Sequence, residues 1–76
     1  MSDIQRRFGQ AVRSTRKRSG ISQEELASRS ELHRTYISDI ERGSRNPSLL
    51  TMVRLASALG VTLGELVTLS EVESPA

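Results

Sequence analysis

The sequence predicts an all-α fold, a compact bundle of five short helices. Apolar residues recur at every third or fourth position, and no segment alternates apolar and polar residues as a half-exposed strand does. Aromatic residues make up only 3% of the chain, and no Asn-Gly or Asp-Gly pair marks a hairpin turn. Capping residues and glycines divide the helical pattern into short pieces.

The first helix is predicted over about residues 3–18, where one stripe of small or apolar residues recurs at helical spacing. Its members are Ile4, Phe8, Ala11, Val12 and Thr15. Gly20 ends this helix. Ser22 is expected to cap the second helix, with Glu25 three positions later completing a capping box. The second helix then runs to about Arg29.

The third helix is expected from Arg34 to Gly43, a C-terminal glycine. The pair Asn46-Pro47 predicts a cap and a first-turn proline for the fourth helix, which runs to about Leu59. Thr62 is expected to cap a fifth helix over residues 63–68. Residues 1–69 then form one domain, and residues 70–76 form a short acidic tail.

Length and composition exclude several classes of function. Seventy-six residues make one small domain, with no room for a separate ligand-sensing domain, so we expect neither a small-molecule ligand nor a cofactor. The chain has no cysteine, which suits a reducing cytoplasm, and a single histidine, His33, cannot form a metal site alone. No apolar run is long enough to span a membrane, because Arg54 interrupts the most hydrophobic segment.

Charge is distributed unevenly along the chain. The net charge is +2, yet residues 1–64 hold all 11 basic residues and only six of the nine acids. A basic body with an acidic end suits a polyanionic partner, although the same charges could form an ordinary solvated surface.

The third helix has one apolar side and one side of short polar and cationic residues. Ile37 and Ile40 define the apolar side, and the residues opposite or flanking them are Arg34, Thr35, Tyr36, Ser38, Asp39 and Arg42. A helix of this kind, following a short helix and a tight turn, predicts a helix-turn-helix whose outer face enters a DNA groove. Arginine can bind guanine with two donors, and threonine offers a methyl group to thymine or a hydroxyl to a phosphate. Asp39 could accept from cytosine, or it could orient Arg42 or Arg34.

Four segments carry a family resemblance: Gln23-Glu-Glu-Leu-Ala27, Tyr36-Ile-Ser-Asp-Ile-Glu-Arg-Gly43, Arg45-Asn-Pro-Ser-Leu49 and Leu55-Ala-Ser-Ala-Leu-Gly-Val61. Over about residues 8–68 the chain resembles the Cro/C1-type, or xenobiotic-response-element, family of bacterial and phage repressors. The segment His33-Arg-Thr-Tyr-Ile37, together with the short length, is also similar to the controller proteins of restriction–modification systems.

This resemblance implies a lambda repressor-like five-helix domain that acts as a homodimer on a two-fold DNA operator. It implies that bases are contacted by Arg34, Thr35, Ser38, Asp39 and Arg42. It also implies that phosphates are contacted by Gln23, Ser44, Arg45 and Asn46, and the hydroxyl of Tyr36 could donate to a phosphate as well. It further implies a structural ion pair between Arg16 and Glu41.

The turn before the third helix departs from many members of that family. They place glycine at the position of Glu31 and serine at that of His33. We therefore expect Glu31 to be strained if its backbone is left-handed, and His33 to cap the third helix less well than serine.

The last two helices carry more apolar residues than a core of this size requires. One explanation is a thick core. We favour a self-complementary dimer patch formed by Leu63, Leu66, Val67 and Leu69, because such a patch closes a two-fold dimer.

Two other classes of function also have some support in the sequence. Ser14-Thr-Arg-Lys17 fits the Ser-x-x-Lys pattern of acyl-enzymes, but the companion motifs are missing from the sequence, so we expect no enzyme. The remaining alternative is an antitoxin or co-regulator that acts mainly through protein–protein contacts. The short end of the chain argues mildly against an antitoxin.

Overall fold

The computed structural model describes residues 3–72, which form five helices. They are α1 (Asp3–Arg18), α2 (Gln23–Ser30), α3 (Arg34–Glu41), α4 (Leu49–Leu59) and α5 (Leu63–Val72). No strand occurs between residues 3 and 72. The predicted all-α, five-helix architecture is confirmed.

Helix α1 packs against both α3 and α5, while α2 packs against α3 and α4. One apolar core joins all five helices. It consists of Phe8, Ala11, Val12, Leu26, Ala27, Ile37, Ile40, Leu55, Ala56, Leu59 and Leu66. Because α2 and α3 bury only short apolar stripes, each depends on these neighbours for its position.

The predicted stripe of α1 is buried from Phe8 onwards, whereas Ile4 is 44% exposed. Gly9 lies in the same buried surface although the apolar pattern did not include it. A Cβ atom there would lie 2.2 Å from the carbonyl oxygen of Ile40. Glycine at this position therefore allows α1 and α3 to approach closely.

The caps of α2 and α5 differ from each other. Ser22 accepts from the N–H of Glu25 at 3.0 Å, but the carboxylate of Glu25 accepts from Arg29 at 2.8 Å. Of the two hydrogen bonds of the predicted capping box of α2, only the one from the N–H of Glu25 to Ser22 is therefore made. Thr62 and Glu65 make both reciprocal bonds, at 2.8 and 3.0 Å, at the start of α5.

The predicted start of α4 at Asn46-Pro47 is wrong. Ser48 is the N-cap, and its hydroxyl accepts from the N–H of Thr51 at 3.1 Å. Serine caps a helix as well as asparagine does, so the later residue can serve. Pro47 then remains in the connecting loop, where it lines a groove beside Ile4 and Met52.

Helix α5 is longer than predicted and continues to Val72. The side chain of Ser70 is buried and donates to the carbonyl oxygen of Leu66 at 2.8 Å. Arg7 on α1 donates to the carbonyl oxygen of Glu71 at 3.2 Å. Residues 70–72 thus belong to the folded domain and not to a tail, while residues 73–76 of the predicted tail lie outside the described residues.

Between residues 3 and 72, no single helix is both long and apolar enough to cross a membrane. Helices α4 and α5 pass that test of length and composition only as a pair, and they are bent at 99° to each other.

The turn between α2 and α3 contains the strain that its residue types predict. Glu31 has a left-handed backbone, with φ 59° and ψ 39°, and no other described residue except glycine has a positive φ. His33 is the N-cap of α3 and makes no capping hydrogen bond with its side chain. Both positions therefore contribute less to stability than the family's glycine and serine would.

We expect Glu31→Gly to raise the free energy of unfolding by about 1 kcal/mol, because glycine adopts this conformation without a steric penalty. Chemical denaturation would measure the change. Glu31→Ala is the matched control, since it removes the carboxylate but keeps the Cβ atom, and it should give no such gain. Equal effects of the two substitutions would contradict the assignment of strain to the backbone.

Candidate nucleic-acid interface

Helix α3 has an anchored side and an outward side. Ile37 and Ile40 are at most 1% exposed, and Glu41 is also buried. On the outward side, Arg34, Thr35 and Arg42 are exposed, while Tyr36, Ser38 and Asp39 are partly exposed. The side chains available to a groove are therefore cationic or short and polar, as the sequence predicted.

The anchored side ends in a buried ion pair between α1 and α3. Arg16 donates from Nε and Nη2 to the two carboxylate oxygens of Glu41, at 2.7 and 3.1 Å. Its Nη1 donates to the carbonyl oxygen of Ile21 at 2.9 Å. The hydrogen bonds that Arg16 donates to Glu41 raise the pKa of Arg16 against the opposing effect of burial, so the guanidinium stays charged at any ordinary pH. The ion pair implied by the family resemblance is present.

Gln23, expected at a phosphate, is attached to this ion pair. Its Nε2 donates to Glu41 at 3.0 Å, which fixes the first residue of α2 to the last residue of α3. A primary amide has two N–H donors, so one remains for another partner. Gln23 therefore joins α2 to α3, and it is also a residue that the family resemblance places at a phosphate.

Arg34, expected to contact a base, pairs with Glu24 of α2 at 3.1 Å. Both side chains are more than half exposed. Pairs of this kind are worth little in water, so the guanidinium can change partner at low cost. Sequence reasoning missed Glu24 because ten residues separate it from Arg34, and no helical spacing relates residues of two different helices.

Asp39 is the centre of a second group on the outward side. Its carboxylate pairs with Arg42 and also, at 3.4 Å, with Nε of Arg45. Arg42 donates to the hydroxyl of Ser38 as well. The guanidinium carbon of Arg45 lies 5.1 Å from the centre of the Tyr36 ring, within the range of a cation–π contact. The sequence offered Arg42 and Arg34 as partners of Asp39. Asp39 orients Arg42, whereas Arg34 pairs with Glu24.

The loop after α3 places the remaining predicted contacts differently. The hydroxyl and the N–H of Ser44 both donate to the carbonyl oxygen of Asp39, at 3.1 and 3.0 Å, so this side chain closes the last turn of α3. Arg45 shares a shallow depression with Thr35 and Tyr36. Asn46 instead lines the groove that contains Ile4 and Pro47. The structure thus brings Arg45 to the outward side of α3, whereas Asn46 is exposed and lines a different groove.

Three of the four residues expected to form a dimer patch, Leu66, Val67 and Leu69, do not share one surface, and the fourth, Leu63, is partly buried against the core. Leu66 is completely buried in the core, so it cannot contact a partner, and its assignment to the patch is wrong. Val67 lines the groove beside Ile4, whereas Leu69 lines a different groove beside Thr15 and Arg18. The reason is that α5 packs against both α1 and α4, which divides its apolar residues among the core and two sides.

Metal-ligating residues are not grouped in the described part of the chain. No set of three or more His, Asp or Glu side chains between residues 3 and 72 could hold a metal ion.

We predict that Arg16→Ala and Glu41→Ala will each lower the free energy of unfolding by about 3–5 kcal/mol, because each leaves a buried charge without its partner. The double variant should lose less than the sum. Thermal or chemical denaturation of all four proteins gives the coupling energy.

The exposed pair of Arg29 and Glu25, of the same residue types at 2.8 Å, is the matched control. Its cycle should give a coupling of less than about 1 kcal/mol. Additive losses at Arg16 and Glu41 would contradict the structural role of the buried pair.

Residues 12–66 match the model of the helix-turn-helix family. The chain is 54% identical over 61 residues to Control protein C.BamHI of Bacillus amyloliquefaciens, covering 79% of this chain and 75% of that protein. It is 45% identical over 67 residues to Control protein C.MunI of a Mycoplasma species, covering 87% and 90%.

Solved structures show the same relationship. The restriction-modification controller protein C.AhdI from Aeromonas hydrophila is 44% identical, with a TM-score of 0.82 over 87% of this chain and 98% of that one. The restriction-modification controller protein C.Esp1396I is 30% identical, with a TM-score of 0.85 over 97% of this chain and 100% of that one. The protein therefore belongs to the helix-turn-helix family of Cro/C1-type DNA-binding transcriptional regulators.

Proposed function

We propose that this protein is a sequence-specific transcriptional regulator that binds a two-fold DNA operator as a homodimer and controls a restriction–modification system. The observation that carries the proposal is the orientation of α3, whose apolar side is anchored in the core and whose polar side faces outward. The similarity of the chain to several control proteins supports the proposed control of a restriction–modification system.

Base reading is proposed for the start of α3. Arg34 and Thr35 are exposed in its first turn, and no acidic residue occupies that turn. Arg34 would exchange Glu24 for the O6 and N7 atoms of a guanine, which accept from two guanidinium donors. The exposed pair with Glu24 keeps the side chain near this position and costs little to break. Ser38 and Arg42 would contact the following bases.

Phosphate binding is proposed on both sides of α3. The amide of Gln23 has a free donor at the N-terminus of α2, where backbone N–H groups and the helix dipole favour an anion. On the other side of α3, the guanidinium of Arg45 supplies a positive charge. The Tyr36 ring packs against this guanidinium, and its hydroxyl can donate to a phosphate. Such contacts fix the register of the protein on DNA without reading sequence.

The homodimer is proposed to form through apolar side chains of α1, α4 and α5 around one groove. The groove has a volume of about 140 Å³, and its lining includes Ile4, Phe8, Pro47, Met52 and Val67. On the same helix as Met52, Leu49 and Val53 are 65% and 45% exposed. An apolar surface of this kind needs a cover, and a second copy on a two-fold axis provides one. The two α3 helices would then meet successive major grooves, roughly 34 Å apart.

Regulation is proposed to depend on the concentration of the protein itself. DNA binding and dimerisation both lie in the described domain, so dimer formation sets the concentration at which the operator is occupied. We place the protein in the cytoplasm, acting without a cofactor. Footprinting on the DNA upstream of its own gene would locate the operator.

We predict that Arg34→Ala will weaken operator binding by about 1–3 kcal/mol and relax the preference at one base pair of each half-site. Arg45→Ala should weaken binding to both operator and unrelated DNA, without changing the preference at any one base pair. Titration of fluorescent duplexes at several salt concentrations measures both, and the salt dependence should decrease by roughly one charge in the Arg45→Ala protein. Wild-type protein with equal affinity for all duplexes would refute the proposed function.

We also predict that Val67→Asp will give monomers, because it places a charge in the proposed interface. Thr68→Asp is the matched control: it adds the same charge to an exposed position of α5 that lines the other groove. Sedimentation should show a dimer for Thr68→Asp only, with circular dichroism confirming that both proteins are folded. A dimer in both variants, or in neither, would exclude this groove as the specific interface.

A further inference from the structure

We propose that Asp39 is a positioning residue that sets the DNA specificity of this protein by holding Arg42 and Arg45, and that it does not itself read a base. The inference rests on the proposed function, because it concerns the same surface. It adds a residue whose role is to orient the cations of that surface.

Both carboxylate oxygens of Asp39 are occupied within the protein. Oδ1 accepts from Arg42 and Oδ2 accepts from Nε of Arg45. The Asp39 side chain is 19% exposed, whereas those of Arg42 and Arg45 are 62% and 56% exposed. The carboxylate is therefore covered by the two guanidinium groups, and a cytosine amino group would have to displace one of them to reach it.

Residue 39 also fixes the loop that carries Arg45. Its carbonyl oxygen accepts from the N–H and the hydroxyl of Ser44. Gly43, with φ 79°, makes the sharp turn beside α1, where an added Cβ would lie 2.8 Å from the Cα of Arg6. The backbone of Asp39 thus holds the loop, and its side chain holds the arginine at the end of that loop.

Arg45 is restrained from two directions. The Tyr36 ring lies on one side of its guanidinium, at 5.1 Å, and the carboxylate of Asp39 accepts from its Nε. A planar guanidinium held in this way presents its remaining donors in a fixed fork. The fork binds a phosphate only where the register of the DNA places one.

The charge of Asp39 has a second consequence. It offsets one of the two positive charges, which weakens the attraction to any phosphate backbone. Specificity is a difference between two affinities, so a group that lowers binding to unrelated DNA while preparing the contacts to the operator increases that difference. The negative charge of Asp39 lowers the affinity for all DNA, whereas the orientation of the arginines raises the affinity for the operator only.

The test compares Asp39→Asn with Glu25→Gln in the full-length protein. Both remove one negative charge, but Glu25 belongs to the exposed pair with Arg29 on α2. We expect Asp39→Asn to strengthen binding to an unrelated duplex and to lower the ratio of operator to unrelated affinity about ten-fold, roughly the value of one well-placed contact. Glu25→Gln should leave that ratio within about two-fold of wild type, since it changes only net charge.

Asparagine retains one acceptor, so Asp39→Ala provides a second variant and should lower the ratio at least as far. Thermal melts of both variants check that they are folded. In an Arg45→Ala background, Asp39→Asn should lower the ratio by less than about three-fold, because part of its action passes through Arg45.

Three results would overturn the inference. They are equal ratios for Asp39→Asn and Glu25→Gln, a full ten-fold loss that persists in the Arg45→Ala background, and a changed preference at a base pair that Arg42→Ala leaves unaffected. The last result would assign Asp39 to base reading. Wild-type protein without any preference among duplexes would instead refute the proposed function, and this inference with it.

Discussion

The buried ion pair of Arg16 and Glu41 is the interaction on which the outward surface depends. It joins the end of α3 to α1, and Gln23 extends it to the start of α2. Helices of eight residues do not hold their own positions, so the two helices of the motif need such fixed points. A buried pair is costly to desolvate, and its contribution is geometric: it determines the direction in which α3 presents its polar side.

The cations of that polar side are all paired with carboxylates of the same chain. Arg34 has Glu24, and Arg42 and Arg45 share Asp39. These side chains are more exposed than the partners in the Arg16 pair, and solvent weakens their interactions. The arginines therefore have partners within the free protein, and in the proposed complex each could exchange its carboxylate for a phosphate or a base at modest cost.

The apolar surface has a different origin from the polar one. Helix α5 packs between neighbours, which removes Leu66 from the surface and leaves Val67 in a groove with residues of α1 and α4. Leu49, Leu50 and Val53 remain exposed on α4 because the described part of the chain has no helix to cover them. The proposed DNA contacts and the proposed dimer contacts thus use different helices of one small domain, and the shared core relates their orientations.

The sequence by itself determined the number of helices, most of their boundaries and the polarity of α3, because periodicity, caps and glycines act over a few neighbouring residues. It also indicated the ion pair of Arg16 and Glu41, through a family resemblance. Tertiary structure decided which of two adequate caps starts α4, how far α5 continues and which apolar residues remain at the surface. It likewise decided the partners of Arg34 and Arg45, and the close approach at Gly9. Each of these depends on atoms that are distant along the chain, and local spacing contains no information about which distant groups will meet.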